Sequence, residues 1–180
     1  MDQPLVEVRD LRLQFRTYAG IVHALNGIDL EVYEQDMLGL VGETGCGKSM
    51  TGLAILGLVP RGGEVVSGSI LFRGEELLTK PESEMQKIRG AKIAMVFQDP
   101  ATSLNPLFTI GQQIETVMRR HQQADKHHLR DRALELLGMV ELPDPARILD
   151  TYPHELSGGM KQRSSIAIAL SCGADLLIAD

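Results

Sequence analysis

Cysteine is scarce in this chain of 180 residues: Cys46 and Cys172 are too few for a disulfide scaffold and read as reduced intracellular thiols. Long apolar runs are missing, and none approaches the ~20 residues that a membrane-spanning helix needs. The start, Met-Asp-Gln-Pro-Leu-Val-Glu-Val, has neither the basic residues nor the apolar stretch of a secretion signal. A cytosolic location is expected, compatible with docking on a membrane protein. Basic residues are in deficit, 18 Lys plus Arg against 24 Asp plus Glu for a net charge of −6, which argues against a nucleic-acid surface as the main business. Internal repeats and low-complexity tracts are absent too. What is there, 43% hydrophobic and 23% charged residues, is ordinary globular composition with length for one substantial core or a core with a subdomain.

Leu11, Leu13 and Phe15, then Ile28, Leu30 and Val32, alternate with polar neighbours, with Tyr18-Ala19-Gly20 and Asn26-Gly27 as turn signals. This predicts antiparallel strands. Ile70 and Phe72 between Gly68 and Gly74 predict a further strand, and Ile93 to Phe97 a buried one returning to the main sheet. Two helical faces follow: Ile110, Ile114, Val117 and Met118, then Leu129, Ala133, Leu136, Leu137 and Val140, across the polar segment 122–127. They read as a helical insertion. Pro143, Pro145 and Pro153 punctuate the chain before a last helix with Ile166, Ala169 and Leu170 on its apolar face, which stops near Gly173. Leu176 to Ala179 is a final apolar strand, ending at Asp180.

The most telling stretch is Gly42-Glu43-Thr44-Gly45-Cys46-Gly47-Lys48-Ser49, a G-x-x-x-x-G-K-S loop. Met37 to Val41 before it suits a buried strand; Met50 to Val59 after it suits a helix, broken by Pro60-Arg61-Gly62-Gly63. Strand, glycine loop and helix together form a phosphate grip: glycines let backbone N–H groups turn toward phosphate oxygens, and a helix start adds partial positive charge. The expected ligand is a nucleoside triphosphate, with Lys48 reaching its β- and γ-phosphates, Ser49 giving a hydroxyl to magnesium, and Met50 completing the candidate binding set. The bland alternative is a glycine-rich turn with no ligand. Nothing near Cys46 supports a thiol catalyst. A second candidate anion site is Leu156-Ser157-Gly158-Gly159-Met160, again small residues opening a helix, and Asp180 at a strand end is placed to hold hydrated magnesium or is a plain loop carboxylate.

In this order the residues resemble the ATP-binding cassette proteins. Gly42 to Ser49 is similar to their Walker A loop, Gln98 to the Q-loop glutamine, Leu156 to Met160 to the signature motif and Leu176 to Asp180 to the Walker B strand. The wording from Phe97 to Pro106 and from Tyr152 to Met160 resembles the oligopeptide, dipeptide and nickel importer branch, in which Met160 commonly replaces the signature glutamine. The fold this implies is α/β, a RecA-like P-loop NTPase core with a mainly parallel sheet, an antiparallel β subdomain and an inserted helical subdomain, incomplete at the Walker B strand. The expected division is 1–99, 100–156 and 157–180.

The resemblance further implies an ATPase, using ATP and Mg2+, that works as a pair of cassettes. Gln98 and Asp180 would serve catalysis and, with Ser49, the metal. Ser157, Gly158 and Gly159 would face nucleotide bound to the partner cassette, with Ser157 and Gly159 on its γ-phosphate. Phe15 is the first choice for stacking on adenine and Tyr18 the reserve, each against simple packing. Expected partners are a second cassette, identical or homologous, two transmembrane permease subunits docking on the segment around Asn105 and the helices after it, and indirectly an extracytoplasmic solute-binding protein; no nucleic acid is expected. The chain would sit peripherally on the cytoplasmic side of the membrane, energising uptake of peptides rather than nickel.

The family's general base is a glutamate directly after the Walker B aspartate, and the sequence stops at Asp180. The chain is therefore expected to be a fragment, inactive alone, with an unfinished sheet, modest stability and a tendency to aggregate. Its histidines do not replace the base: His154 precedes the signature motif, and His121, His127 and His128 read as a solvated surface rather than a metal site. The alternatives are a cassette that binds ATP without turnover and a soluble cassette ATPase acting in DNA repair or on ribosomes.

Overall fold

The computed structural model describes residues 3–121 and 126–180, the side chains of 126 and 127 excepted. Two long strands, β1 (Val6–Thr17) and β2 (Gly20–Val32), form a hairpin through the turn at Tyr18-Ala19. β3 (Gly63–Phe72) and the short β4 (Glu75–Glu76) complete an antiparallel sheet of order β2-β1-β3-β4. The buried residues of β1 change phase: Val6 and Val8, then Leu11 and Leu13. Side chains alternate strictly along a regular strand, so an odd step of three demands an inserted residue. It lies at Asp10, where φ is +39° and the pairing slips against both neighbours between Val8 and Leu11 and between Arg9 and Arg12.

Facing the bulge is Gly68 at φ +102°; a Cβ there would lie 2.6 Å from both the Arg9 carbonyl oxygen and Leu11 Cα. Both the left-handed backbone and the space require glycine. Gly68→Ala is expected to destabilise the chain by about 2 kcal/mol or more. A urea melt at the parental midpoint would show that the bulge does not need this residue.

Asn26-Gly27 is not the turn its composition predicts. β2 runs straight through it, Leu11 pairing with Ile28 and Arg12 with Asn26, so Gly27 (φ +81°) is skipped as a second bulge. Arg12 Nη1 donates to Asn26 Oδ1 at 2.8 Å, holding the pair in register.

Two further expectations are corrected. The helix after the glycine loop, α1, spans Lys48–Ile55 rather than reaching Val59, because Gly57 (φ +61°) takes the left-handed turn that ends helices. The run Met37 to Val41 belongs to neither sheet and is not buried: Met37 is 95% and Val41 93% exposed. A strand exists only with hydrogen-bonding neighbours, and among the described residues none pairs with this run.

The chain divides into two compact units, the first ending at Gln86 and the second beginning at Lys87. The division falls within α2 (Glu82–Ile88), whose acidic first turn and Lys87 in the last suit the helix dipole. In the second unit β5 (Ile93–Val96) and β6 (Leu176–Ala179) pair in parallel, Ile93 opposite Leu176 and Val96 opposite Ala179. Between them in sequence lie α3 (Pro100–Ser103), α4 (Ile110–His121), α5 (Lys126–Met139), α6 (Pro145–Leu149) and a 3-10 turn at Pro153–Glu155, then α7 (Gly158–Leu170).

Ile110, Ile114 and Met118 of α4 meet Leu129, Ala133, Leu136 and Leu137 of α5 in one core, as their spacing predicts. At about 2 kcal/mol for each large side chain buried, this block is the main source of cohesion in the helical region. The buried face of α7 departs from expectation. Ser164, Ser165 and Ala167 are buried, whereas Ile166, Ala169 and Leu170 are only partly so. Small side chains let α7 approach its neighbours closely, α3 and β5 among them. The α/β architecture itself is as predicted, an antiparallel sheet with a parallel pair and an inserted helical block.

Candidate functional site

The glycine loop in the first unit is shaped by two left-handed glycines, Gly45 (φ +87°) and Gly47 (φ +100°), the latter serving as N-cap of α1. Gly47 has no substitute, since a Cβ would lie 2.7 Å from Leu25 Cδ2 and 3.0 Å from the Ala24 carbonyl oxygen. The buried Leu25 of β2 thus supports the loop from below. Cys46 N donates to the Glu43 carbonyl at 3.2 Å, and Thr51 N and Oγ1 both donate to the Gly47 carbonyl at 2.9 and 3.0 Å, tying the loop to the first turn of α1.

Lys48 folds back over this loop, its Nζ donating to the carbonyls of Gly42 at 2.7 Å and Glu43 at 2.8 Å, with Cys46 Sγ 3.6 Å away. The sulfur also packs against Gly42, where a Cβ would fall 2.5 Å from it. An ammonium group is therefore fixed at the mouth of a glycine loop that opens a helix, and no side chain caps that helix. Ser49 and Met50 lie in its first turn.

Phe15 and Tyr18 part company. Phe15 pairs with Gly63 across the sheet, and its ring lies against that glycine, whose added Cβ would be 2.7 Å from Phe15 Cε1. Tyr18 in the hairpin turn is fully exposed. Phe15 is half-buried and so partly engaged in packing.

In the second unit the parallel pair brings two candidates to one end. Asp180 N donates to the Val96 carbonyl at 3.0 Å, so Asp180 follows β6 at the level where Phe97 and Gln98 leave β5. Gln98 and Asp180 share the carboxyl ends of adjacent parallel strands, the edge at which α/β sheets take ligands. Both are exposed, and both offer hard oxygen donors of the kind that suits Mg2+. Lys48 and Ser49 belong to the other unit.

Ser157 is the N-cap of α7, its Oγ accepting from Met160 N at 3.3 Å, and Lys161 N donates to the Ser157 carbonyl at 2.9 Å. Beside it, a Cβ on Gly158 or Gly159 would meet nothing within 4 Å. This helix start is an open surface. Just before it the rings of Tyr152 and His154 stack at 5.7 Å, and Glu155 Oε2 accepts from Tyr152 N at 2.8 Å.

Of the three histidines of the insertion, His121 and His128 have described side chains. His121 lies against Gly90, and burial, with help from Arg120, holds its imidazole below the usual range. His128 is exposed, and the side chain of His127 lies outside the described residues, as does the 122–125 part of the polar segment. No group of three or more His, Cys, Asp or Glu converges among the described residues. No helix among them is long and apolar enough to cross a membrane.

Residues that the sequence pattern passed over also shape this unit. Ser103, the last residue of α3, meets Ser165 of α7 at 3.3 Å, and Ser165 in turn donates to the Lys161 carbonyl at 3.1 Å. Gln113 of α4 grips the loop at Asn105. Neither contact leaves a signal in spacing or composition, because each joins segments through one polar side chain.

Known proteins resemble this chain in sequence and fold. The chain is 44% identical over 179 residues to the dipeptide transport ATP-binding protein DppD of Bacillus subtilis (strain 168), covering 99% of this chain and 53% of that protein. It is 46% identical over 177 residues to the oligopeptide transport ATP-binding protein OppD of the same organism, covering 98% and 49%. The chain spans about half the length of these curated relatives. Among solved structures it superposes with a TM-score of 0.88 on the dimeric, post-hydrolysis ATP-binding cassette MJ0796 bound to ADP and Pi, at 29% identity over 97% of this chain and 73% of the other. Residues 25–180 match the family model described as ABC transporter: the chain belongs to the ABC transporter family.

Proposed function

We propose that this chain is the nucleotide-gripping part of an ATP-hydrolysing subunit that energises uptake of di- and oligopeptides. The observation that carries the reading is the Lys48 ammonium held 2.7 and 2.8 Å from the carbonyls of Gly42 and Glu43, over a glycine loop at the start of α1. Backbone N–H groups from Gly42 to Met50 and this one cation neutralise the β- and γ-phosphates, where charge redistributes during phosphoryl transfer to water. Bound Mg2+ would supply further charge neutralisation at the same oxygens. Gln98 and Asp180, at the carboxyl ends of adjacent parallel strands, would hold it through amide and carboxylate oxygens that fit a hard cation, and Ser49 offers a hydroxyl in the first turn of α1. We assign Phe15, half-buried against Gly63, to stacking on adenine, with Tyr18 in reserve.

Turnover is assigned to the full-length protein and to a pair of cassettes, in which the open helix start at Ser157, Gly158 and Gly159 covers nucleotide held by the other copy. The dimeric form of the related cassette supports this. The peptide cargo follows the printed names of the relatives. We assign the loop after α3 to docking on the permease, because Leu107 is 79% and Phe108 49% exposed there. On this reading the subunit sits on the cytoplasmic face of the membrane, with a solute-binding protein acting through the permease.

Thiol labelling tests the nucleotide site. Cys46 is exposed and touches Lys48, whereas Cys172 is half-buried and burial pushes its thiol up, so less of it is thiolate near neutral pH. Iodoacetamide is expected to label Cys46 first, and MgATP to slow that labelling about tenfold or more without changing Cys172. Equal rates at Cys46 with and without MgATP would remove the loop from the nucleotide site.

A further inference from the structure

Gln98 lies between β5 and α3, a single helical turn in which no residue is buried. That turn is held by its own polar groups. Asp99 Oδ1 accepts from Ala101 N at 2.8 Å, Thr102 Oγ1 donates to the Asp99 carbonyl at 3.0 Å, and Ser103 Oγ lies 3.2 Å from the Pro100 carbonyl. The buried Leu104 follows, and Ser103 Oγ meets Ser165 Oγ of α7 at 3.3 Å. Ser165 is itself buried, and its hydroxyl reaches the Lys161 carbonyl at 3.1 Å, one turn nearer to Ser157. Each hydroxyl carries one proton. The bond across the pair therefore forms only when one serine gives up its own carbonyl, and when it breaks both protons still have an acceptor at hand. Ser164, one residue away, is a contrast: it is equally small and fully buried, and its Oγ has no hydrogen-bond partner among the described residues.

We propose that Ser165 is a positioning residue for Gln98: through Ser103 it ties the turn that follows Gln98 to the helix that Ser157 opens, by a hydrogen bond that is made and released at little cost. The inference rests on the ATP-hydrolysing reading above and adds to it the side chain that steadies Gln98. An amide on a loop spends only part of its time where it can serve a reacting phosphate, and each added constraint raises that share. Because α3 buries none of its own residues, a polar link to a packed helix supplies the constraint. Ser165 also stands about 12 Å along α7 from the Ser157 cap, so the tie sets Gln98 relative to that helix start. Alanine at this position is nearly as large and keeps the packing, but it loses the link.

The experiment uses the full-length subunit assembled with its membrane partners. Ser165→Ala and Ser103→Ala are each expected to lower kcat for MgATP about fivefold at parental KM, since the glycine loop is untouched, and to speed hydrogen exchange at the Ala101 and Leu104 amides without nucleotide. The double variant is expected to be no worse than either single one, because the two hydroxyls share one bond. Ser165→Thr keeps a hydroxyl and is expected to restore kcat to within about twofold of the parent. Ser164→Ala is the packing control: it removes a hydroxyl that bonds to nothing and leaves kcat and exchange at parental values. If Ser164→Ala slows turnover as Ser165→Ala does, or if the effects of the two linked serines add, packing rather than the bond is responsible and the positioning role is wrong. Parental kcat and exchange in Ser165→Ala overturn it too, and in that case hydrolysis by the parent leaves the ATPase reading standing. An assembled parent that does not hydrolyse MgATP ends both.

Discussion

Lys48→Ala in the full-length protein is expected to lower MgATP affinity about 100-fold, because charge-assisted hydrogen bonds to phosphate contribute about 1.5–3 kcal/mol each and the nearest cation of the loop is gone. The fold should survive. Lys48 Nζ is bonded to two carbonyls of an exposed loop, Gly42 and Glu43, which water satisfies once the side chain is removed. The shape of the loop rests instead on Gly47 over Leu25 and on Thr51 at the Gly47 carbonyl. Isothermal titration with MgATP decides the matter, with circular dichroism to show that the variant is folded. Parental affinity in a folded variant would end the assignment of the loop to triphosphate binding.

Ser157→Arg is expected to leave MgATP binding by a single copy within about twofold of the parent and to eliminate ATP-driven pairing. Ser157 caps α7 through Met160 N, so its loss costs about 1 kcal/mol of local stability, which the helical core tolerates. The larger effect is steric. The surface at Gly158 and Gly159 is open to the extent that an added Cβ meets nothing, and a long side chain at its rim keeps another molecule from approaching the helix start. Sedimentation with ATP under conditions that prevent turnover reads the result. A dimer at parental strength would show that nucleotide is not shared through this face, and loss of binding by the folded monomer would place the site within one copy.

The parts legible in the sequence are those fixed by neighbouring residues. The glycine loop and its lysine, the cap at Ser157, the strand ending at Asp180 and the paired helical faces of α4 and α5 all follow from local spacing, and the structure forms each of them. What spacing does not carry is partnership at a distance. Met37 to Val41 has the composition of a buried strand, yet composition does not provide the hydrogen-bonding neighbour that a strand requires. Asn26-Gly27 has the chemistry of a turn, but the pairing of β1 with Ile28 and Asn26 carries the chain straight on and makes Gly27 a bulge. In α7 the spacing of Ile166, Ala169 and Leu170 predicts an apolar buried face, whereas tight packing selects Ser164, Ser165 and Ala167. Gln113 was silent because its partners are backbone atoms, which every residue has.

The inserted residue at Asp10 makes β1 a strand in two phases, with Val6 and Val8 governed from one side of it and Leu11 and Leu13 from the other. Losing that one codon would be harsher than changing it, since deletion turns half of the strand inside out while a replacement leaves the count intact. An engineer grafting this hairpin must therefore preserve its arithmetic before its chemistry.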